Sequence, residues 1–309
     1  MSDKKELKHR MMFTDTSRGR AFAKDPGVIE FKGQYFLYYS ISPFSDDRAN
    51  DGFRIGIAVG KNLITWEKIG EIAPLSLCDK KGLCAPGPIV LNGKVYLFYQ
   101  TYGNNEKDAI CLATSEDGIH FVPNETNPIF SPTGNWNCGR AIDADVIPFK
   151  DELLLYFSSR DPDYRTQITG VASAPLNSDF SRNHWKQRCN APILKPELPW
   201  EQACIEASAL CEYNGKLYMF YGGAYNNSPQ QIGCAVSTDG INWQRISDKP
   251  VLTNGKPGEW NSSESGHPFV LETSDNEYYL FYQGNNDNGK TWSLSQKKLC
   301  WNHDMPLIQ

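Results

Sequence analysis

The chain has 309 residues, with 31 lysines and arginines against 36 aspartates and glutamates, a formal charge of −5 and a pI near 5.6. No basic cluster goes beyond the short N-terminal Lys4-Lys5 and Lys8-His9-Arg10, which argues against nucleic acid as a partner, and no apolar stretch approaches the ~18 residues of a membrane-spanning helix. Hydrophobic residues at 40%, aromatics at 12% among them, suffice for a large core.

The N-terminus, Met1-Ser-Asp-Lys-Lys-Glu, lacks the apolar core of a signal peptide. The nine cysteines are odd in number, scattered and without a CxxC pair, as expected of buried free thiols in a reducing compartment. The expectation is a cytoplasmic protein, or a secreted one if a signal peptide has been removed.

Five related units follow in chain order, each carrying an apolar, aromatic strand: 35–39, 95–99, 153–157, 217–221 and 278–282. The first unit has a turn at Lys32-Gly33, a third strand around 55–58 and a fourth marked by Trp66. In the second, residues 88–91, 95–100, 109–114 and 119–122 read as strands, separated by the hairpin signal Asn92-Gly93 and the turn Ser115-Glu-Asp-Gly118. The third is the most degenerate, turning at Lys150-Asp151 and reaching Trp185 late. The fourth repeats the second, with Asn214-Gly215, a strand at 232–236, Ser237-Thr-Asp-Gly240 and Trp243. The fifth turns at 274–276 and ends at Trp301. Four strands in about 60 residues predict an all-β, five-bladed β-propeller forming one domain over 1–309, with blades starting near 25, 85, 143, 206 and 267. The first twenty or the last eight residues would supply the edge strand that closes the ring.

Strand parity then puts loops 42–52, 101–108, 160–167, 223–231 and 285–291 on one face, with the segments that lead into each blade. These are the longest and most polar segments of the chain, the kind that carry function on a rigid scaffold. They hold Arg140, Arg160, Trp200, Tyr225, Gln230, Trp260 and Glu264 as candidate substrate contacts. Trp200 and Trp260 are the sugar-stacking candidates, with loop bracing as the rival role. The strand aromatics Tyr38, Tyr99 and Tyr221 read as packing between blades.

Counting back from each aromatic strand gives Asp25, Ala85, Asp143, Glu206 and His267, the last two with one inserted residue. A closed ring would bring these positions together at its axis. Two carboxyls on opposite sides of a sugar can cleave a glycosidic bond; a gap of about 6.5–9.5 Å admits water and inverts configuration, about 5–5.5 Å retains it. Asp25 and Glu206 lie on blades one and four, with Asp143 between them on blade three. A neighbouring charge raises a carboxyl pKa, so Asp143 would keep Glu206 protonated while Asp25 stays ionised. Glu206 also sits among Cys204, Ile205, Ala207 and Ala209, where a charge without function would be costly.

The runs Lys24-Asp25-Pro26-Gly-Val-Ile, Ala141-Ile-Asp143-Ala-Asp-Val, Ile205-Glu206-Ala-Ser and Gly266-His267-Pro resemble the blade starts of family 43 glycoside hydrolases across all five blades. The resemblance implies a five-bladed propeller that hydrolyses arabinofuranosides or xylosides with inversion. It implies Asp25 as general base, Glu206 as general acid and Asp143 as the residue that tunes and orients the acid. His267 matches a histidine that in some members helps hold a calcium ion or water, so a structural calcium is the only cofactor implied. The chain departs from the family at Glu206-Ala-Ser, usually Glu-Gly-Pro, and at Asp143-Ala-Asp145, usually Asp-Pro, leaving Asp145 as a rival to Asp143. Related fructoside-cleaving propellers carry Arg-Asp-Pro; Arg160-Asp161-Pro162 is present but follows a second strand. A further relative acting on agar-derived sugars uses a histidine acid, an option His267 keeps open. A glycoside phosphorylase and a non-catalytic sugar-binding propeller complete the alternatives.

Overall fold

The five units fold as five four-stranded antiparallel sheets, each ordered as its strands follow in the chain. The structure, a computed structural model, describes residues 11–44 and 52–309. Blade one comprises Lys24–Phe31, Gln34–Ile41, Arg54–Gly60 and Glu67–Ile72. Blade two comprises Leu83–Leu91, Lys94–Thr101, Ile110–Ser115 and Val122–Pro123. Blade three comprises Ile142–Phe149, Glu152–Arg160, Gln167–Pro175 and Lys186–Gln187. Blade four comprises Ile205–Tyr213, Lys216–Gly223, Gln231–Ser237 and Gln244–Arg245. Blade five comprises Glu264–Glu272, Tyr278–Asn285, Ser293–Asn302 and Met305–Ile308. The first strands of successive blades touch in a closed cycle, which makes them the inner wall of a ring. No helix among the described residues is long and apolar enough to cross a membrane.

The first hairpins of blades one, two and four turn through Lys32-Gly33, Asn92-Gly93 and Asn214-Gly215. All six residues have positive φ, the twist a two-residue hairpin needs. Each pair of neighbouring blades encloses its own apolar cluster, five in all, and the aromatic second strands fill them. Tyr38, Tyr99, Tyr156, Tyr221 and Tyr282 are fully buried. The Ser-x-Asp-Gly turns serve this packing. The carbonyls of Gly118 and Gly240 accept the Tyr38 and Tyr156 hydroxyls of the preceding blade at 2.8 and 2.7 Å. All nine cysteines are free thiols.

Both expected closing segments are used, on different stretches of one strand. Phe13 pairs with Leu294 through two backbone bonds of 3.0 and 2.7 Å, and Met305–Ile308 pairs with residues 299–302. Trp301 therefore lies on the third strand of blade five and not at the blade's end, because that strand is the longest of its kind. Of the predicted loop 42–52, residues 45–51 lie outside the described residues.

Candidate active site

Each inner strand loses register near its start: between Lys24 and Gly27, Cys84 and Gly87, Ile142 and Asp145, Glu206 and Ala209, and Gly266 and Phe269. Inside each break sits one residue in the left-handed region: Asp25 (φ 52°), Ala85 (49°), Asp143 (53°), Ala207 (53°) and His267 (47°). Such a backbone costs a non-glycine residue on the order of 1–2 kcal/mol, so it has to be held. A side chain of the preceding blade accepts the N–H of every one. Ser40 Oγ takes Ala85, Gln100 Oε1 takes Asp143, Ser158 Oγ takes Ala207, Gln230 Oε1 takes His267 and Gln283 Oε1 takes Asp25, at 2.8 to 3.1 Å. The position that provides this acceptor in the other blades is Gly222 in blade four. Gln230 reaches in from the loop that leads into the following strand instead, through space that Gly222 and Gly266 leave open: a Cβ on Gly266 would lie 1.9 Å from its Oε1.

The breaks correct one expectation. The residue equivalent to Asp25, Asp143 and His267 is Ala207, and Glu206 occupies the position of Lys24 one step earlier. Blade four has no inserted residue, whereas blade five does, in its wider 273–277 turn. Glu206 still reaches the axis, because in a bulged strand two consecutive residues can face one side. Lys24 with Asp25, and Cys84 with Ala85, do the same.

Asp25, Asp143, Glu206 and His267, from four blades, converge on one cavity of about 340 Å³, within the usual range for small-ligand sites. Arg140, Arg160 and Tyr225, candidate substrate contacts from the sequence, also line it, and so do Lys24, Gln167 and Trp292, which were not singled out from the sequence. The His267 ring lies between two carboxylates, with Nδ1 3.3 Å from Asp25 and Nε2 3.6 Å from Asp143. Lys24 Nζ sits 4.4 Å from the centre of the Trp292 ring. Glu206 accepts hydrogen bonds from the side-chain amides of Gln167 and, at 2.6 Å, Gln230. Arg160 Nε donates to the Gln167 oxygen at 3.2 Å, which turns that amide nitrogen toward Glu206.

These contacts separate the carboxyls. Burial acts to raise the Asp25 pKa, but the charges of His267 and Lys24, with the Ser40 hydroxyl, outweigh it and hold Asp25 below the usual carboxylate value. Burial pushes Asp143 up to about 6; the His267 charge opposes this, while Glu206 and Asp25 add to it. One Asp143 oxygen, Oδ2, is buried without a hydrogen-bond partner. Burial works against the charge on His267 and Lys24, yet the surrounding carboxylates leave both with raised pKa values.

Other expected contacts lie outside the cavity wall. Glu264 is fully buried, binding Gln283 Nε2 and the Asn227 N–H at 2.7 Å each, and burial foremost pushes its pKa up to about 7. Gln230 is likewise fully buried and acts through Glu206 and His267. Trp200 stacks on Tyr221 at 6.0 Å and Trp260 packs on Tyr282 at 5.6 Å, in slots left by Gly223 and Gly284, so both brace blades. Asp145 turns to blade four and accepts the Leu210 N–H at 2.7 Å, because the bulge breaks the alternation that would align it with Asp143. Asp161, in the Arg-Asp-Pro run, accepts the Arg165 N–H inside its own loop. Both ring nitrogens of His267, the residue expected to help hold a calcium ion or water, face carboxylates, and no group of three His, Cys, Asp or Glu placed to hold a metal ion occurs among the described residues. A further cavity, about 650 Å³, opens at the opposite, hairpin end of the ring, away from the carboxylate cluster.

The family model described as Glycosyl hydrolases family 43 matches residues 17–306. Among characterised proteins, the chain is 28% identical over 221 residues to the 1,2-beta-oligomannan phosphorylase of Thermoanaerobacter sp., covering 69% of each chain. It is 36% identical over 106 residues to the sucrose-6-phosphate hydrolase of Zymomonas mobilis, covering 31% of this chain and 20% of that one. Among solved structures, a thermostable family-43 glycoside hydrolase superposes with a TM-score of 0.75 at 22% identity, covering 96% of both chains. An alpha-L-arabinofuranosidase from Lactobacillus brevis gives 0.70 at 16% identity over 92% and 94%. At such identities these likenesses show the fold.

Proposed function

The chain belongs to glycosyl hydrolase family 43, and from that membership we propose that it cleaves the glycosidic bond of a terminal sugar with inversion, an α-L-arabinofuranoside or β-D-xyloside being the leading substrate. The observation that carries this reading is the meeting of Asp25, Asp143 and Glu206 on one sugar-sized cavity. Asp25, kept ionised, takes a proton from the water whose oxygen attacks the anomeric carbon. The Asp143–Glu206 pair returns a proton to the departing oxygen, with Glu206 as the donor that the family pattern implies and Asp143 as the carboxyl that still holds its proton near pH 6. The test is a panel of nitrophenyl glycosides with NMR of the first-formed anomer. Asp25→Asn and Glu206→Gln should each lower turnover of the best substrate by about 10²–10⁴-fold. Equal activity in wild type and both variants would remove these roles.

The named activity of the oligomannan relative, with Lys24, Arg140 and Arg160 on the cavity, favours a second reading: phosphorolysis, in which phosphate replaces water as the attacking group. Strict dependence on added phosphate, with a sugar 1-phosphate product, would select it.

A further inference from the structure

Arg140 and Arg160 line the catalytic cavity and also a second lobe of about 350 Å³, which shares both arginines and Tyr102 with it. They therefore stand where the two spaces meet. Arg160 is held by everything except its tip. Its Nε donates to Gln167, and its guanidinium lies near the rings of Tyr164 and Tyr225, at 5.8 and 5.4 Å from their centres. Its two terminal NH₂ groups make no hydrogen bond among the described residues. Arg140 faces Asp108 at 3.7 Å, beyond hydrogen-bond reach, and its Nε is buried with no partner. The other Asp108 oxygen is engaged by Thr101 Oγ1 and the Asn104 N–H at 3.1 and 3.0 Å.

Two other arginines of the chain spend most of their donors on the protein itself. Arg245 makes four bonds of 2.7 to 2.9 Å to Glu201, Glu197 and the Lys195 carbonyl, and Arg182 caps the carbonyls of Thr126 and Pro128 at 2.8 Å. Two guanidinium groups with unused donors stand around one lobe, which Glu106 and Asp108 also line, and form a fork for a planar or tetrahedral oxyanion.

We propose that Arg140 and Arg160 form an oxyanion subsite beside the scissile bond, taking a carboxylate or phosphate group. The proposal deepens the glycoside-cleaving reading and rests on it for its place next to the bond, while the binding itself needs no turnover. The oxyanion has two sources: an acidic group carried by the neighbouring sugar of the substrate, or free inorganic phosphate.

Calorimetric titration of inorganic phosphate, D-glucuronate and D-glucose into wild type, Glu206→Gln, Arg140→Gln, Arg160→Lys and the distant surface variant Arg188→Gln tests it. At least one of the two anions should bind wild type, Glu206→Gln and Arg188→Gln alike, and about tenfold or more weaker to Arg140→Gln, as loss of a charged hydrogen bond implies. Arg160→Lys should fall between, and glucose should not reproduce the pattern. The anion should also raise the melting temperature of wild type more than that of Arg140→Gln, provided both melt as folded proteins. Phosphate binding with phosphate-dependent turnover identifies the free ion as the source; glucuronate binding with phosphate-independent turnover identifies the sugar. Turnover without arginine-dependent anion binding overturns the subsite and leaves the glycoside reading standing. Arginine-dependent binding with no turnover on any glycoside does the reverse.

Discussion

The His267 imidazole is the hub of the site's charge. It touches Asp25, held below the usual carboxylate value, and Asp143, pushed up to about 6. Glu206 is fixed as an acceptor, because both amides that reach it have their oxygens claimed by donors, Arg160 Nε and the His267 N–H. Asp143, its pKa raised to about 6, carries a proton in mildly acid solution. The sign of the pH dependence follows. Activity rises at low pH as Asp25 ionises, below the usual carboxylate range, and falls as the pH climbs through about 6 and Asp143 loses its proton. The prediction is a bell-shaped kcat/KM profile with its alkaline limb near 6, a limb that Asp143→Asn displaces; a limb unmoved in the variant would assign the titration to another group. Asp25, Asp143 and His267 were legible because they recur at the same step of a repeat. Lys24 and Trp292 were not. Lys24 adjoins Asp25, and regular alternation would turn the two to opposite faces. Trp292 comes from a loop with no repeat to place it.

At the scale of the strand, the device that builds the site is the bulge with its borrowed acceptor. The hairpins could be read from Asn-Gly and Lys-Gly pairs because those residues supply the required φ. The bulges could not, since a left-handed Ala207 or Ala85 looks like any strand alanine. Hence the count back from blade four landed on Glu206, one residue from the repeat position. A signal was nonetheless present. Blade four carries Gly222 where other blades place Ser or Gln, and the missing acceptor had to come from somewhere. Gly266→Ala should test how much depends on it. The added methyl would displace Gln230, loosening both the His267 backbone and Glu206. The expected cost is about 1–3 kcal/mol of stability with a lowered kcat. Gly70→Ala, where nothing lies within 4 Å of the new atom, should be close to neutral in both measurements. Equal effects of the two substitutions in thermal melts and assays would mean that the cradle around Gln230 is not under constraint.

For the whole molecule, function depends on how the ring is sealed. The number of blades was legible from the spacing of the aromatic strands, and the all-β reading followed from turn signals. Which terminus closes the ring was not, because neither end has the pattern of a full strand. The structure divides the task unequally. Met11 and Phe13 are buried in the cluster between blades five and one, whereas Met305 and Leu307 of the C-terminal strand remain exposed. That same interface carries the hydrogen bond that the Asp25 N–H donates to Gln283 Oε1 and the His267–Asp25 contact, so the seam of the ring passes through the candidate base. Loosening it should disturb chemistry as well as folding. Phe13→Ala is expected to cost about 3–5 kcal/mol in urea unfolding, as for a buried aromatic ring, while Leu307→Ala costs well under that. At temperatures where both variants remain folded, Phe13→Ala should also lose kcat, because the two halves of the catalytic cluster are joined across the blade it seals. A Phe13→Ala protein that unfolds earlier but turns over substrate at the wild-type rate would show that the seam holds the ring without aligning Asp25.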